Sequence, residues 1–415
     1  MRASSFVYLG AALVATAVGL ALVTEPTKAV SPYWPKVPQF RVDSSWPKPY
    51  PLAPHPTSGR MVPWITGEVA GTCVDSQDHV FIVTRGNIAG LSGPEDAKGV
   101  AAPPVIEFDP AGNVVAAWGN RNVLPNGIHG CFVDYQNNLW IAGNGDGIVQ
   151  KYSHSGTLLL QIGTRGVCDN PPANTCGNSG ANPLANQSHT LLNQPADMWV
   201  DPNPDPVTGQ RGSVYIADGY GNHRVVVFSA AGAYLRQWGG VAGTVNNPVS
   251  DYPALFGAGD GGHPHCVVGG NDGLMYVCDR QNDRIQVFTK TGSFVRVIAV
   301  VPGTGQTQGP YGALNIIGSA WDLDFSNDVQ QTFMIEVDGG NEQLHFMDRQ
   351  TGSILASLGQ PGHEAGKFIF LHSVAKDSKG NLYTGETING RRIQKFVHVE
   401  CNNGVGQGNG FGNCQ

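Results

Sequence analysis

The stretch that decides the fold runs Met198-Trp199-Val200-Asp201, then Val214-Tyr215-Ile216-Ala217, then His223-Arg224-Val225-Val226-Val227-Phe228. After a Gly turn it ends in Tyr234-Leu235-Arg236-Gln237-Trp238-Gly239. Each segment is short, rich in β-branched and aromatic residues and bounded by turn formers, which predicts four consecutive antiparallel strands. The first two of these strands recur along the chain. They read Cys73-Val74-Asp75 with Val80-Phe81-Ile82-Val83, and Cys131-Phe132-Val133-Asp134 with Leu139-Trp140-Ile141-Ala142. Further copies are Cys266-Val267-Val268 with Met275-Tyr276-Val277, Leu323-Asp324-Phe325 with Phe333-Met334-Ile335, and Ser373-Val374-Ala375 with Leu382-Tyr383. The anchors Phe81, Trp140, Tyr215, Tyr276, Phe333 and Tyr383 lie 59, 75, 61, 57 and 50 residues apart. Four strands per unit and six units predict an all-β, six-bladed β-propeller over residues 65–400.

The last unit lacks an outer strand, because after Arg392-Ile393-Gln394-Lys395-Phe396 the chain runs into a Gly/Asn-rich tail, residues 401–415. An open ring exposes an edge, so Phe40-Arg41-Val42, in a Pro-rich arm over residues 30–64, is expected to supply that strand and close the ring.

Composition agrees with this reading and narrows the function. The 415 residues include 56 Gly and 28 Pro, with 41% hydrophobic and 14% charged residues. That is enough apolar chain for a large core and too little charge for a disordered one. The net charge of -7, with no run of Lys or Arg, excludes a nucleic-acid binder. Residues 1–29 read as a signal peptide. Arg2 precedes the apolar run Phe6 to Val23, and Thr27-Lys28-Ala29 offers a cleavage site. Removing Arg2, Glu25 and Lys28 leaves -7 - 1 = -8. The run spans 18 residues, just enough to cross a bilayer, so an N-terminal anchor is the alternative. Either way the domain is expected to be secreted or periplasmic, and a monomer is expected.

Eight cysteines suit an oxidising compartment. Cys168 and Cys176 bracket a short loop and Cys401 and Cys414 bracket the tail, so each pair reads as a local disulfide. Cys266 and Cys278 flank the turn Gly270-Asn271-Asp272-Gly273 and can pair across a hairpin. Cys73 and Cys131 are left open between a bridge and buried thiols. No CxxC occurs, which argues against a thiolate zinc cluster.

The turns between second and third strands carry a shared plan. Asp218-Gly219-Tyr220-Gly221-Asn222-His223-Arg224-Val225 and Asp279-Arg280-Gln281-Asn282-Asp283-Arg284-Ile285 are the clearest, with Glu386, Asn389, Gly390 and Arg392 following loosely. An acid, a turn Asn and an Arg entering the next strand resemble the NHL repeat, in which acid and Arg pair across the turn. Three histidines then open alternate inner strands: His129 before Gly130-Cys131, His265 before Cys266-Val267, and His372 before Ser373-Val374. Placed threefold around a sixfold ring they aim at one axis. Three imidazoles with an open fourth position form the ligand set of a catalytic zinc.

With these histidines, the chain over roughly residues 65–398 resembles peptidyl-α-hydroxyglycine α-amidating lyase, the propeller enzyme that completes peptide amidation. The resemblance implies zinc on His129, His265 and His372, a catalytic Tyr at Tyr220, and two active-site Arg at Arg85 and Arg280. It implies a small peptide or N-acyl-α-hydroxyglycine-like substrate, a carbinolamide cleaved at its C–N bond to an amide and glyoxylate. Zinc would lower the pKa of the hydroxyl, Tyr220 would act as base, and Arg85 and Arg280 would fork onto the carboxylate. For Arg280 a turn ion pair is the rival reading. The family's active-site Met is Phe370 here, and its structural calcium loses a carboxylate because Ser373 replaces an Asp. The calcium's carbonyl ligands map near Thr72 and Cys131. The family's disulfide positions fall at Gly221, Tyr276 and Val287. No copper monooxygenase domain fits in the remaining residues, so a hydroxylated substrate is expected from elsewhere. His263, two residues before His265, competes for the ligand assignment. Two other readings stand beside the lyase: a non-enzymatic NHL propeller that binds peptide or glycan, and a different propeller metallo-hydrolase such as a lactonase.

Overall fold

A computed structural model describes residues 36–86, 88, 99–177, 182, 184–244, 255–258, 264–304 and 317–399. The chain divides into Met1–Lys36 and Val37–Gln415, and every described strand belongs to the second unit. The expected signal segment, the Cys401–Cys414 pair and His263 lie outside the described residues.

The protein is all-β and propeller-like, and among the described residues the strands form six four-stranded antiparallel sheets. Sheet one holds Val69–Val74, Val80–Thr84, Val105–Phe108 and Val114–Trp118; sheet two holds Ile128–Val133, Leu139–Gly143, Ile148–Tyr152 and Leu158–Ile162. Sheet three runs Asp197–Val200, Val214–Asp218, Arg224–Phe228 and Tyr234–Gly239, the quartet whose sequence sets the pattern. Sheet four is Pro264–Gly269, Leu274–Asp279, Arg284–Thr289 and Phe294–Ala299, and sheet five is Asp322–Phe325, Phe333–Asp338, Gln343–Asp348 and Ile354–Leu358. Sheet six takes Leu371–Lys376, Leu382–Glu386 and Arg392–Val399 from the C-terminal part, and its fourth strand is Gln39–Val42. In that pairing Phe40 lies opposite His398 and Arg41 opposite Val397.

Burial explains why second strands carry no alternation. Both faces of Val214–Asp218 and Val80–Thr84 are covered by neighbouring sheets, so every residue in them is buried. Outer strands such as Leu158–Ile162 are mostly exposed. Full burial of each large apolar side chain, Trp140 and Phe81 among them, contributes about 1.5–3 kcal/mol.

The arm is more than an extended linker. Met61–Ile65 lies between Leu52–Pro54 and Val100–Ala101 in a three-stranded sheet. Trp46 is buried against Phe108 of sheet one and Tyr383 of sheet six, at 5.3 and 4.9 Å between ring centres. Three disulfides occur among the described residues. Cys168–Cys176 closes its local loop and Cys266–Cys278 joins the first two strands of sheet four. Cys73–Cys131, the pair the sequence leaves open, ties the first strand of sheet one to the first strand of sheet two. No helix among the described residues is long and apolar enough to cross a membrane.

Candidate metal centre

Residues from the first strand of each of the six sheets line one central cavity of about 300 Å³. Counting back from the end of each first strand, six equivalent positions line it: Ala70, His129, Ala196, His265, Trp321 and His372. Histidine therefore alternates with a residue that offers its backbone carbonyl. His129 Nδ1 lies 2.8 Å from the Ala196 carbonyl and His265 Nδ1 2.6 Å from that of Trp321. For His372 the matching backbone is that of Ala70, a looser contact short of full hydrogen-bond geometry at Nδ1.

These carbonyls fix the tautomers. A carbonyl only accepts, so Nδ1 of His129 and of His265 carries the proton and Nε2 presents a lone pair in the neutral ring. The ligand nitrogens of His129, His265 and His372 all fall within 4.8 Å of one another. All three rings are buried. Burial, with His372, His265 and Arg85 adding, pushes His129 well below the usual imidazole range. His372 is pushed down to about 3 by burial and then by Arg85 and Arg280. His129 and His372 are thus held neutral, the form in which imidazole binds a metal. Lone pairs facing one another at this range repel unless a cation or a proton lies between them. The residues present therefore fit a divalent ion with an open fourth position.

Tyr220 reaches two of these imidazoles. Its hydroxyl is 3.0 Å from His129 Nε2 and 2.9 Å from His265 Nε2, and Arg280 Nη1 donates to it at 2.9 Å. One phenol proton cannot serve two acceptors at once. Arg280 leaves its turn between the second and third strands of sheet four to do this. Asp279 pairs with Arg284 at 2.7 Å, as Asp218 pairs with Arg224 at 2.9 Å and Glu386 with Arg392 at 2.6 Å. The turn ion pair expected as the rival role for Arg280 thus belongs to Arg284. The Arg280 guanidinium lies over the Trp321 ring at 4.6 Å and the Tyr220 ring at 5.2 Å. Its Nε is buried without a hydrogen-bond partner among the described residues.

Arg85 lies on the other side. Its Nη1 donates to Glu68 at 2.8 Å and its Nε to the Ile128 carbonyl at 3.0 Å. Ser373, at the position of the family's calcium carboxylate, hydrogen-bonds through its hydroxyl to Thr72 at 3.1 Å. Phe370 adopts φ +54° and its N–H donates to Glu342 at 2.7 Å.

Sequence reasoning missed Trp321 and Glu68. Trp321 occupies the inner-strand position between two His-bearing units, and aligning the repeats residue by residue finds it. Glu68 precedes its strand with no motif around it. Deeper in the cavity, burial raises Asp197 to about 7, and burial and Asp197 together hold Asp322 well above the carboxylate range.

No family model matches the chain. Human NHL repeat-containing protein 3 is 29% identical over 263 residues, covering 62% of this chain and 58% of the human protein. Peptidylglycine α-amidating monooxygenase of Rattus norvegicus is 29% identical over 249 residues, covering 56% of this chain and 22% of the rat protein. The match spans about three fifths of the first relative and a quarter or less of the second. Among solved structures, a streptogramin B lyase is 12% identical at a TM-score of 0.49, covering 87% of this chain and 98% of that one.

Proposed function

We propose that this chain is an exported, zinc-dependent carbon–nitrogen lyase acting on carbinolamides, built on a six-bladed propeller whose ring Gln39–Val42 closes. The observation that carries the reading is the meeting of three imidazoles, a phenol oxygen and a guanidinium within hydrogen-bond reach of one another. The similarity to peptidylglycine α-amidating monooxygenase over 56% of the chain supports it, and the three disulfides suit export.

The substrate class is an N-acyl hemiaminal bearing a carboxylate. Zinc on His129, His265 and His372 would supply Lewis acidity at the substrate's hydroxyl oxygen. Tyr220, held by Arg280 beside the imidazoles, takes the hydroxyl proton and hands it to the leaving nitrogen. The O–H electron pair becomes the new C=O bond, the C–N bond breaks, and the nitrogen leaves with that bond's electrons and gains a proton. The products are an amide and glyoxylate, and atoms balance without a further reactant. Arg280, fixed between Tyr220 and Trp321, directs charge at the carboxylate together with Arg85. Arg85 is held in place for this by Glu68.

A glyoxylate assay on an α-hydroxyglycine peptide tests the reading. Release that stops with chelator and returns with zinc is the expected result. Tight peptide binding without glyoxylate would leave a binding propeller instead.

A further inference from the structure

A second cluster of metal-ligand side chains lies apart from the central cavity, where sheet one meets sheet two. Asp75 follows the first strand of sheet one, His79 precedes the second, Glu107 is on the third, and His154 is in the turn after Ile148–Tyr152 of sheet two. One ligand atom from each falls within 4.8 Å of the other three. His79 Nδ1 is 2.6 Å from Glu107 Oε1, and His154 Nε2 is 3.1 Å from Asp75 Oδ2 and 3.4 Å from Glu107 Oε1.

The other sheets show what this place normally contains. In sheet two the matching acid, Asp134, receives Trp140 Nε1 at 2.9 Å, Asn138 Nδ2 at 3.1 Å and Lys151 Nζ at 3.2 Å. In sheet six Asp377 receives Asn381 Nδ2 at 2.7 Å and the Tyr383 hydroxyl at 3.1 Å, with Lys395 over the Tyr383 ring. In sheet three Asp201 meets Lys290 at 2.6 Å, from the turn of the next sheet. Asp134 and Asp201 each pair with a Lys, and Asp377 lies within the electrostatic reach of Lys395.

Sheet one replaces each partner. Glu107 lies opposite Phe81 as Lys151 lies opposite Trp140 and Lys395 opposite Tyr383. Phe81 has no donor where Trp140 and Tyr383 have one. His79 stands in the place of Asn138 and Asn381, and His154 in the turn position that Lys290 holds in sheet four. The Asp75 side chain is 0% exposed and that of Glu107 4%. Two buried carboxylates thus face each other, and among the described residues neither makes a salt bridge with a Lys or Arg. Such a pair is costly without a positive charge between them.

We infer that Asp75, His79, Glu107 and His154 bind a divalent first-row cation of the zinc class. Two imidazoles and two carboxylates suit that class. Ligands at about 2.0–2.2 Å in a tetrahedron lie roughly 3.3 Å from one another, near the two His154 separations. Four protein ligands make a closed, structural site, which pins the His154 turn of sheet two to sheet one. His79 and His154 are 28% and 40% exposed, so the ion enters from solvent.

The test uses the full chain stripped with chelator and titrated with zinc chloride. The key variant is the double change His79→Asn with Glu107→Lys, which installs the sheet-two pattern around Asp75 and should fold. Wild type is expected to bind one zinc more than this variant. His129→Ala is expected to keep the zinc that the double variant loses, which separates this site from the central one. His154→Ala should weaken the second site at least tenfold, and an anomalous-scattering peak should lie between Asp75 and Glu107. Equal zinc in wild type and double variant, with no such peak, overturns the inference and leaves two imidazolium–carboxylate ion pairs.

Discussion

Nε2 of His372 lies 3.2 Å from Nε2 of His129, two ring nitrogens 243 residues apart in sequence. Burial keeps both rings neutral, and the Nδ1 contact of His129 turns its Nε2 lone pair toward His372. Replacing His129, His265 or His372 singly by Ala should lower zinc occupancy, read by elemental analysis, while circular dichroism stays that of wild type. His263→Ala should change little. Zinc retained in full by all three variants, once the contribution of Asp75 and Glu107 is removed, would sink the central site.

In the proposed mechanism Tyr220 acts on a proton rather than holding the metal. Tyr220→Phe keeps the ring that packs on His129 and His265 at 5.0 and 5.5 Å and deletes only the oxygen. Zinc content and KM should hold, and kcat should fall roughly 10²–10⁴-fold, the usual contribution of a general base. Turnover near the wild-type rate would remove Tyr220 from the mechanism.

Arg280 and Arg85 differ in how they are held, and that predicts different behaviour. Arg280→Lys loses the guanidinium's contact over the Trp321 ring and the Nη1 bond to Tyr220, so it should lower kcat as well as binding. Arg85→Ala also removes the Nη1 bond to the buried Glu68, so its effect must be separated from a structural one. An analogue with a neutral amide in place of the carboxylate provides the separation. If Arg85 clamps the carboxylate, its removal should cost much less with the analogue than with the true substrate. Equal penalties with both would assign Arg85 to structure alone.

What was legible in the sequence, and what was not, follows from where each signal lies along the chain. The strand quartets and anchors such as Trp140 and Tyr215 repeat locally, so the strands and the alternate-sheet histidines could be read from one chain. The arm strand at Phe40 was legible because sheet six visibly ran out of chain. Trp321 was hidden because an aromatic in a strand reads as core. Cys73–Cys131 and Arg85–Glu68 depend on neighbours that only packing brings together. The Asp75 cluster draws on three strands of one sheet and a turn of the next, a placement that no spacing encodes.

The last prediction concerns pH and the strand that carries His372. Glu342 accepts the Phe370 N–H at 2.7 Å and the Leu371 N–H at 2.9 Å, fixing the chain just before His372. Its side chain is buried. Burial first, with Glu386 and Asp338 adding, outweighs those two N–H donors and raises its pKa from 4.5 to about 7. A raised carboxyl binds its proton more tightly in the folded state than in the unfolded one. The stability it contributes is therefore complete below about pH 4.5 and is lost as pH rises through about 7. At 1.36 kcal/mol per pH unit the loss is on the order of 3 kcal/mol. Glu342→Gln cannot titrate, so subtracting its stability from that of wild type isolates this one group. Urea unfolding at pH 5 and pH 8 should show the difference shifting by that order in favour of the variant at the higher pH. The sign matters more than the size: a difference that stays flat, or moves in favour of wild type as pH rises, would mean that Glu342 is ionised in the folded protein throughout. The two backbone N–H donors would then outweigh burial, and Glu342 would hold the His372 strand as a carboxylate.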